Sequence, residues 1–329
     1  MSERFLVFSG MRDEGAWLVE WVSWQRMLGF EILIGTNDSA PPFLALLDAF
    51  QDAGWLTWFA HRPGQRPPKG SAHRAMMKRP EVAATDWLLI CDVDEFLVLH
   101  EGDGTVPGYL DRVGRAQAGI AFHWRNFGTS GWERYAPGLV HRQFTRCGPA
   151  RMGPNIMVKT MVRDPLRFRR FTDHGPARVP EGWGESQEII RDAALREIDR
   201  FTRGPHPVRY TDQEGITHAT AQMNHYVLRS VEHFAMKKGR PSASALKDRY
   251  TDRFFAARDR NGQRDLSALA HGARFDAVHA AAMALPGVAR LHHLNVADYV
   301  ARLCAAAGTE PTRDPRWQEA MAAAERTEP

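Results

Sequence analysis

The chain of 329 residues is poor in cysteine, uses arginine far more than lysine, and has no long apolar run. Its three cysteines, Cys91, Cys147 and Cys304, are scattered and odd in number. That excludes a disulfide framework and a clustered zinc site, and a reducing cytoplasm suits them. No apolar stretch approaches the length of a membrane-spanning helix, so no transmembrane segment is expected. The opening, MSERFLVFSGMRDEG, has a very short apolar run and no cleavage pattern, and reads as a first strand rather than a signal peptide. No internal repeat or long low-complexity segment is visible. The net charge of +4 is too small to point to nucleic acid. The arginine preference suits anionic ligands such as phosphate. An apolar fraction of 43% with 25% charged residues is that of a soluble globular protein. The expected location is the cytoplasm, either free or peripheral at the inner face of the membrane.

What is present is organised around Trp87–Leu99, WLLICDVDEFLVL. Trp87 to Cys91 is apolar throughout, as in a strand buried on both faces of a parallel sheet. It runs into Asp92-Val93-Asp94-Glu95. On an extended chain, residues i and i+2 point the same way, so Asp92 and Asp94 are expected to aim at one spot. That spot would lie at the carboxyl end of a buried strand, where open α/β sheets bind ligands. Two unpaired carboxylates there are unfavourable, and a divalent cation, Mg²⁺ or Mn²⁺, sharing its coordination with phosphates would relieve them. The plainer reading is a strand end followed by a solvated acidic turn.

Strand and helix signals alternate up to that point. Phe5–Phe8, Phe30–Ile34 and Trp55–Phe59 read as strands, separated by helices over Ala16–Leu28 and from Pro41 or Pro42 to about Ala53. Ala60–Gly70 reads as a loop, and Ser71 as the cap of a short helix carrying His73, Arg74 and Lys78. This alternation predicts a mainly parallel sheet with right-handed crossovers. Further on, Val106–Arg115 and Ser230–Lys238 read as helices, and Gly119–Trp124 and Asn155–Val162 as strands. Asn126–Gly131 reads as a turn-rich loop, Asp173-His174-Gly175-Pro176 as a turn, and Pro180–Pro207 as an inserted loop. From about Arg240 the chain is Ala-rich and helical, without a sharp motif. His271 and the adjacent His292-His293 lie there, and adjacent histidines diverge on a helix, so no second metal site is expected.

Several short motifs occur in a known order. They are Arg12-Asp13-Glu14-Gly15 with Trp21 and Gly29-Phe30; Asn37-Asp38-Ser39; Asp92-Val93-Asp94-Glu95-Phe96-Leu97; Trp124-Arg125-Asn126-Phe127-Gly128 with Ser130-Gly131; and Asn224-His225-Tyr226 with Ser230, Phe234 and Lys237. On these the chain resembles the bacterial family-2-like glycosyltransferases of the GT-A fold, and more distantly family 92, from about Phe5 to Arg240. One departure is Arg12-Asp13-Glu14, where the family usually has Lys-Asn-Glu. The resemblance implies a GT-A-like domain over 1–239, with a nucleotide-binding half (1–100) and an acceptor half (101–239), followed by a helical region over 240–329. It implies that Asp92 and Asp94 hold a metal and the diphosphate of a nucleotide sugar, and that His225 completes the metal site. It implies nucleotide contacts from Glu14 and Asp38, a diphosphate contact from Arg74, and a sugar and acceptor pocket around Trp124 and Asn126.

Each residue also has a plainer reading. Glu14 would favour a helix N-terminus, Asp38 is an ordinary turn residue, Arg74 is exposed as arginine usually is, and His225 is a hydrogen-bonded core residue. The implied reaction is inverting sugar transfer to an acceptor hydroxyl on a glycan or lipid-linked molecule, in surface-glycan or glycoconjugate synthesis. Glu95, Glu133 and Asp173 are the alternative proton acceptors. Haloacid-dehalogenase-like phosphatases also use Asp-x-Asp, but on the first strand, and with Thr or Val where this chain has Phe96. The rival of another class is a non-catalytic nucleotide- or glycan-binding module on the same fold.

Overall fold

Apolar runs punctuated by Gly, Pro and Asp form the first strands, and helices cross between them. The computed structural model describes residues 3–179, 189–198, 201, 209–244 and 246–327. The order is β1 (Phe5–Gly10), α1 (Gly15–Leu28), β2 (Glu31–Thr36), α2 (Pro41–Asp52), β3 (Thr57–Ala60), α3 (Pro68–Met76) and β4 (Trp87–Ile90). Next come β5 (Glu95–Leu99), α4 (Val106–Val113), β6 (Gly119–Asn126), β7 (Val158–Arg163), β8 (Ile190–Asp192) and β9 (Ala221–His225). The C-terminal part contains α5 (Val231–Lys237), α6 (Asp252–Arg258), α7 (Gly272–Met283), α8 (Val288–Ala307) and α9 (Pro315–Arg326).

The main sheet has the order β3-β2-β1-β4-β7-β6-β9-β5, with β8 beside β6. β1, β2, β3 and β4 pair in parallel, and β6 is parallel to β8 and β9. β7 runs antiparallel between β4 and β6, and β5 runs antiparallel to β9. The protein is thus α/β, with a mixed, mostly parallel sheet flanked by helices and a helical C-terminal part. The parallel strands put the residues after β1, β2 and β4 on one edge of the sheet. The register of β9 sets His225 between Asn126 of β6 and Glu95 of β5.

Helix α1 ties this edge to the core. Trp17, Trp21 and Trp24 recur at helical spacing and are all buried. Trp21 Nε1 donates to the carbonyl of Asp92 (3.0 Å), and Trp24 Nε1 to that of Leu97 (2.9 Å). The helix closes at Gly29, whose φ of 92° suits a residue without Cβ. Phe275, Val296, Tyr299 and Val300 share one core with Trp17, Trp24 and the sheet residues. Each fully buried side chain of this size stabilises the fold by about 1.5–3 kcal/mol. The contact is close at Gly15, where a Cβ would lie 1.8 Å from Asn295 Oδ1. Asn295 Nδ2 in turn donates to the carbonyl of Pro42 (2.8 Å). The chain beyond 240 is therefore built onto the first loops rather than hung from them.

Two local expectations change. Helix α3 starts at Pro68, a favoured first helical residue, and Ser71 donates to the carbonyl of Arg62 (3.2 Å) instead of capping. The loop expected over 180–207 falls mostly outside the described residues, and its described part contributes strand β8. No helix among the described residues is long and apolar enough to cross a membrane.

Candidate functional site

The chain does not stay extended past β4. The Glu95 N–H donates to the carbonyl of Asp92 (3.0 Å) and closes a tight turn. Asp92 and Asp94 consequently meet different partners, which corrects the expectation that i and i+2 aim at one spot.

Asp92 is paired on both oxygens. Lys69 Nζ lies 2.6 Å from Oδ1, and Lys159 Nζ donates to Oδ2 (3.2 Å). Lys159, wholly buried on β7, also pairs with Glu95 Oε2 (2.7 Å) and donates to the carbonyl of Asp173. Glu95 accepts the Asp92 N–H on Oε2 (2.8 Å) and Trp124 Nε1–H on Oε1 (2.9 Å). Burial opposes ionisation of Asp92, but Lys159 and Lys69 outweigh it and hold the carboxyl far below its ordinary range. Burial pushes Glu95 up to about 7, with Lys159 pulling back and Asp92 and Asp94 adding to the rise. The premise that both aspartates lack partners fails at Asp92, which Lys69 and the wholly buried Lys159 neutralise.

Asp94 faces a different environment. His225 Nε2 lies 4.0 Å from its Oδ2, and Lys237 Nζ 3.9 Å. The hydrogen-bond chain behind His225 fixes its tautomer. Asn155 Nδ2 donates to the carbonyl of Ala150 (2.8 Å), which turns its Oδ1 toward Asn126. Asn126 donates to that oxygen through its backbone N–H (3.0 Å) and its Nδ2 (2.8 Å). Asn126 Oδ1 is left facing His225 Nδ1 (2.9 Å), so Nδ1 carries the proton and donates. Nε2 then presents a lone pair toward the Asp94 carboxylate. The imidazole stacks on Trp124, ring centroids 4.0 Å apart at 29°. Burial, only partly opposed by Asp94, pulls its pKa down to about 3 and keeps it neutral. Held by Asn126, the imidazole leaves one nitrogen free beside a carboxylate, two groups of the kinds that can ligate a divalent cation. Asp92 does not join them, and no group of three or more His, Cys, Asp or Glu among the described residues is placed to hold a metal.

The other expected residues divide. Asp173 joins the cluster: its Oδ1 lies 3.8 Å from His73 Nδ1, and its Oδ2 accepts from Ser244 Oγ. Burial raises its pKa, but Lys69, His73 and Lys159 pull it down to about 2, against Asp92. Glu14 stands at the same sheet edge, with Oε2 3.6 Å from Arg229 Nη1. Asp38 is exposed with a φ of 48°, and accepts from Asn37 Nδ2 (2.8 Å). Arg74 and Glu133 are exposed and make no contact with the cluster. On α3 it is Lys69 and His73, four residues apart on one face, that point inward. Trp124 and Asn126 are buried behind His225 and orient it, instead of lining an open pocket. Asp13, the departure from the family pattern, accepts from the N–H of Ala40 (2.7 Å) at the start of α2 and so joins the first two loops.

Lys69, Lys159 and Ser244 were not singled out from the sequence, and His73 was named there only as a residue of the short helix. Lys159 carried a signal: it is a lone lysine inside the apolar strand Asn155–Val162.

No family model matches the chain, and no curated protein matches it. Among solved structures it is similar to S. aureus TarS 1–349 (9% identity, 98% of this chain and 91% of that one, TM-score 0.35). It is also similar to the same TarS fragment in complex with UDP-GlcNAc (10% identity, 98% and 92%, TM-score 0.33). A third is UDP-glucose pyrophosphorylase complexed with UDP-glucose (8% identity, 84% and 98%, TM-score 0.28). The chain spans 58% of a Bacillus anthracis protein of the glucose-1-phosphate thymidylyltransferase type, and 30% of TarS in a longer structure. All of these likenesses are distant.

Proposed function

We propose that this protein transfers a sugar from a nucleotide-diphosphate donor to an acceptor hydroxyl of a glycan or lipid-linked molecule. The observation that carries the reading is the Asp94–His225 pair: two acceptor atoms 4.0 Å apart, beside lysines, at the edge where parallel strands end. Asp94 and His225 would hold Mg²⁺ or Mn²⁺, with phosphate oxygens and water completing its coordination. Bound there, the cation would neutralise charge on the leaving diphosphate. Asp92 would ligate only by giving up Lys69 or Lys159, so its part is to fix where those ammonium groups stand. Glu14 and Asp38 would contact the nucleoside, while Trp124 and Asn126 keep His225 oriented.

An inverting transfer needs a group to take the acceptor proton. Both oxygens of Glu95 are engaged, and Glu133 stands away from the cluster. Asp173 is 20% exposed, ionised at neutral pH and beside Lys69, so it is the carboxylate best placed for the role. The second reading, a non-catalytic nucleotide- or glycan-binding module, draws on Asp92, whose lysine partners could meet phosphate without turnover.

Calorimetry and a hydrolysis and transfer assay over a panel of nucleotide sugars with Mn²⁺ test this. Donor binding should require metal, and Asp94→Asn and His225→Ala should both lose it. Affinity independent of metal and unchanged in both variants would remove the metal site. Metal-dependent binding with no hydrolysis or transfer from any donor would favour the binding module.

A further inference from the structure

Arg229 is the cation in this region whose hydrogen bonds are missing. It follows β9 with a φ of 52°, a backbone conformation unfavourable for a residue with a Cβ. Its side chain is only 4% exposed. The guanidinium lies over Trp17 of α1, 3.7 Å from the ring centroid, and that stacking holds its plane. Among the described residues it makes no hydrogen bond, and its Nε is buried without a partner. Its ion-pair partner among the described residues, Glu14 Oε2, is 3.6 Å away, too far for a hydrogen bond, and that oxygen is also buried without one.

Buried polar groups are nearly always hydrogen-bonded, and a guanidinium has five N–H groups in a rigid fork. Here an unmet fork and an unmet carboxylate oxygen stand side by side. A molecule that meets both must offer acceptors to Arg229 and a donor to Glu14. Phosphate oxygens match the fork, and a sugar hydroxyl matches the carboxylate. Arg229 is also close enough to Asp94 and Lys237 for its charge to act on both. Through Glu14 it adjoins the loop that follows β1.

We propose that Arg229 is the phosphate-binding fork for the nucleoside diphosphate, with Glu14 taking a ribose hydroxyl of the same molecule. This rests on the nucleotide-donor reading above. It adds a residue from the segment between β9 and α5 that reads the phosphates directly, independent of the cation. Lysine in its place would keep the charge and lose the paired donors, so the two residues are not equivalent here.

The test uses the full chain with Mg²⁺ and calorimetry. UDP, GDP, ADP, CDP and dTDP are screened on the wild type, and the tightest binder is compared with its own nucleoside. Arg229→Gln and Arg229→Lys, checked for fold by circular dichroism, are measured on the same pair. The expected result is at least a tenfold loss for the diphosphate and less than a twofold change for the nucleoside. Should Arg229→Gln fail to fold, Arg229→Lys carries the comparison. Equal losses for both ligands, or none for either, would overturn the assignment of Arg229 alone. Absence of binding by all five diphosphates to the wild type would overturn the donor reading and this assignment with it.

Discussion

Asp92 and Asp94 are the same residue type two positions apart, and the protein surrounds them in opposite ways. Asp92 has an ammonium group on each oxygen, one of them wholly buried. Asp94 has a neutral imidazole nitrogen with its lone pair turned toward it and a lysine beyond hydrogen-bond distance. The first arrangement is electrostatically closed, so adding a cation there would mean displacing one. The second is open, because two acceptors face each other with no proton between them. An acid whose charge is already met helps to build the site, and one whose charge is not met is available to a ligand.

The largest effect is expected at the closed side. Lys159→Met should destabilise the protein by about 3–5 kcal/mol, because it leaves the wholly buried Glu95 and the half-buried Asp92 without their shared cation. Denaturant unfolding measures it, and a midpoint equal to the wild type's would show that Asp92 does not depend on Lys159. The open side should respond in activity instead. On the proposed transfer reaction, Asp94→Asn should lower turnover by about 10²–10³-fold, as losing one preorganised charge at a reacting centre does. Its unfolding midpoint should stay near that of the wild type. A variant that loses stability as Lys159→Met does, with turnover intact, would make the two aspartates equivalent and end the distinction.

Part of this was legible in the sequence. The apolar run before Asp92, and strands alternating with capped helices, place the acidic turn at a sheet edge using local signals alone. The divergence of Asp92 and Asp94 was not legible, because it depends on one backbone hydrogen bond from Glu95 that an extended reading omits. Nor was Lys69, since the Pro- and Arg-rich stretch before it reads as loop, whereas helix α3 starts at Pro68 and turns Lys69 and His73 inward. A stronger signal lay in composition. The chain has only six lysines, and Lys69, Lys159 and Lys237 all surround the acidic turn. Strand β9 was hidden because its polar residues are buried: Gln222 and His225 through hydrogen bonds to distant Asp265 and Asn126, and Asn224 through bonds to its neighbours Gln222 and Tyr226.

Acid sharpens the comparison. His225 has a folded pKa near 3, set by burial, against an unfolded value near 6.5. The unfolded chain therefore binds the proton first, and the stability held by neutral His225 is lost as pH falls below 6.5. By pH 5 the loss is about 2 kcal/mol. The depressed carboxyl of Asp92 contributes nothing in that window, since its stabilisation is lost only below its unfolded value near 4. His73, beside Asp173, is pulled by burial to about 4 and titrates on its own account, so the informative quantity is a difference. Wild type should lose about 2 kcal/mol more than His225→Gln between pH 7.5 and pH 5. Parallel curves for the two proteins would mean that His225 is not held neutral against the unfolded chain.

The smallest expected effect separates two basic residues on one helix. Lys69 and Arg74 are five positions apart on α3, and only Lys69 reaches Asp92. The difference is angular: at about 100° per residue, five steps carry a side chain well round the helix from where four would leave it. Position 73 falls on the inner face with Lys69, and position 74 is exposed. Arg74→Ala should change stability by less than about 0.5 kcal/mol, as exposed substitutions without a specific partner do. Its affinity for a nucleoside diphosphate should also stay within a factor of two. Lys69→Met should weaken that affinity, and it should let the Asp92 carboxyl rise toward its ordinary range, because one of the two charges holding it down is gone. Calorimetry on the two variants side by side makes the comparison. If Arg74→Ala weakens the diphosphate as much as Lys69→Met does, then α3 turns a different face to the ligand than it turns to Asp92.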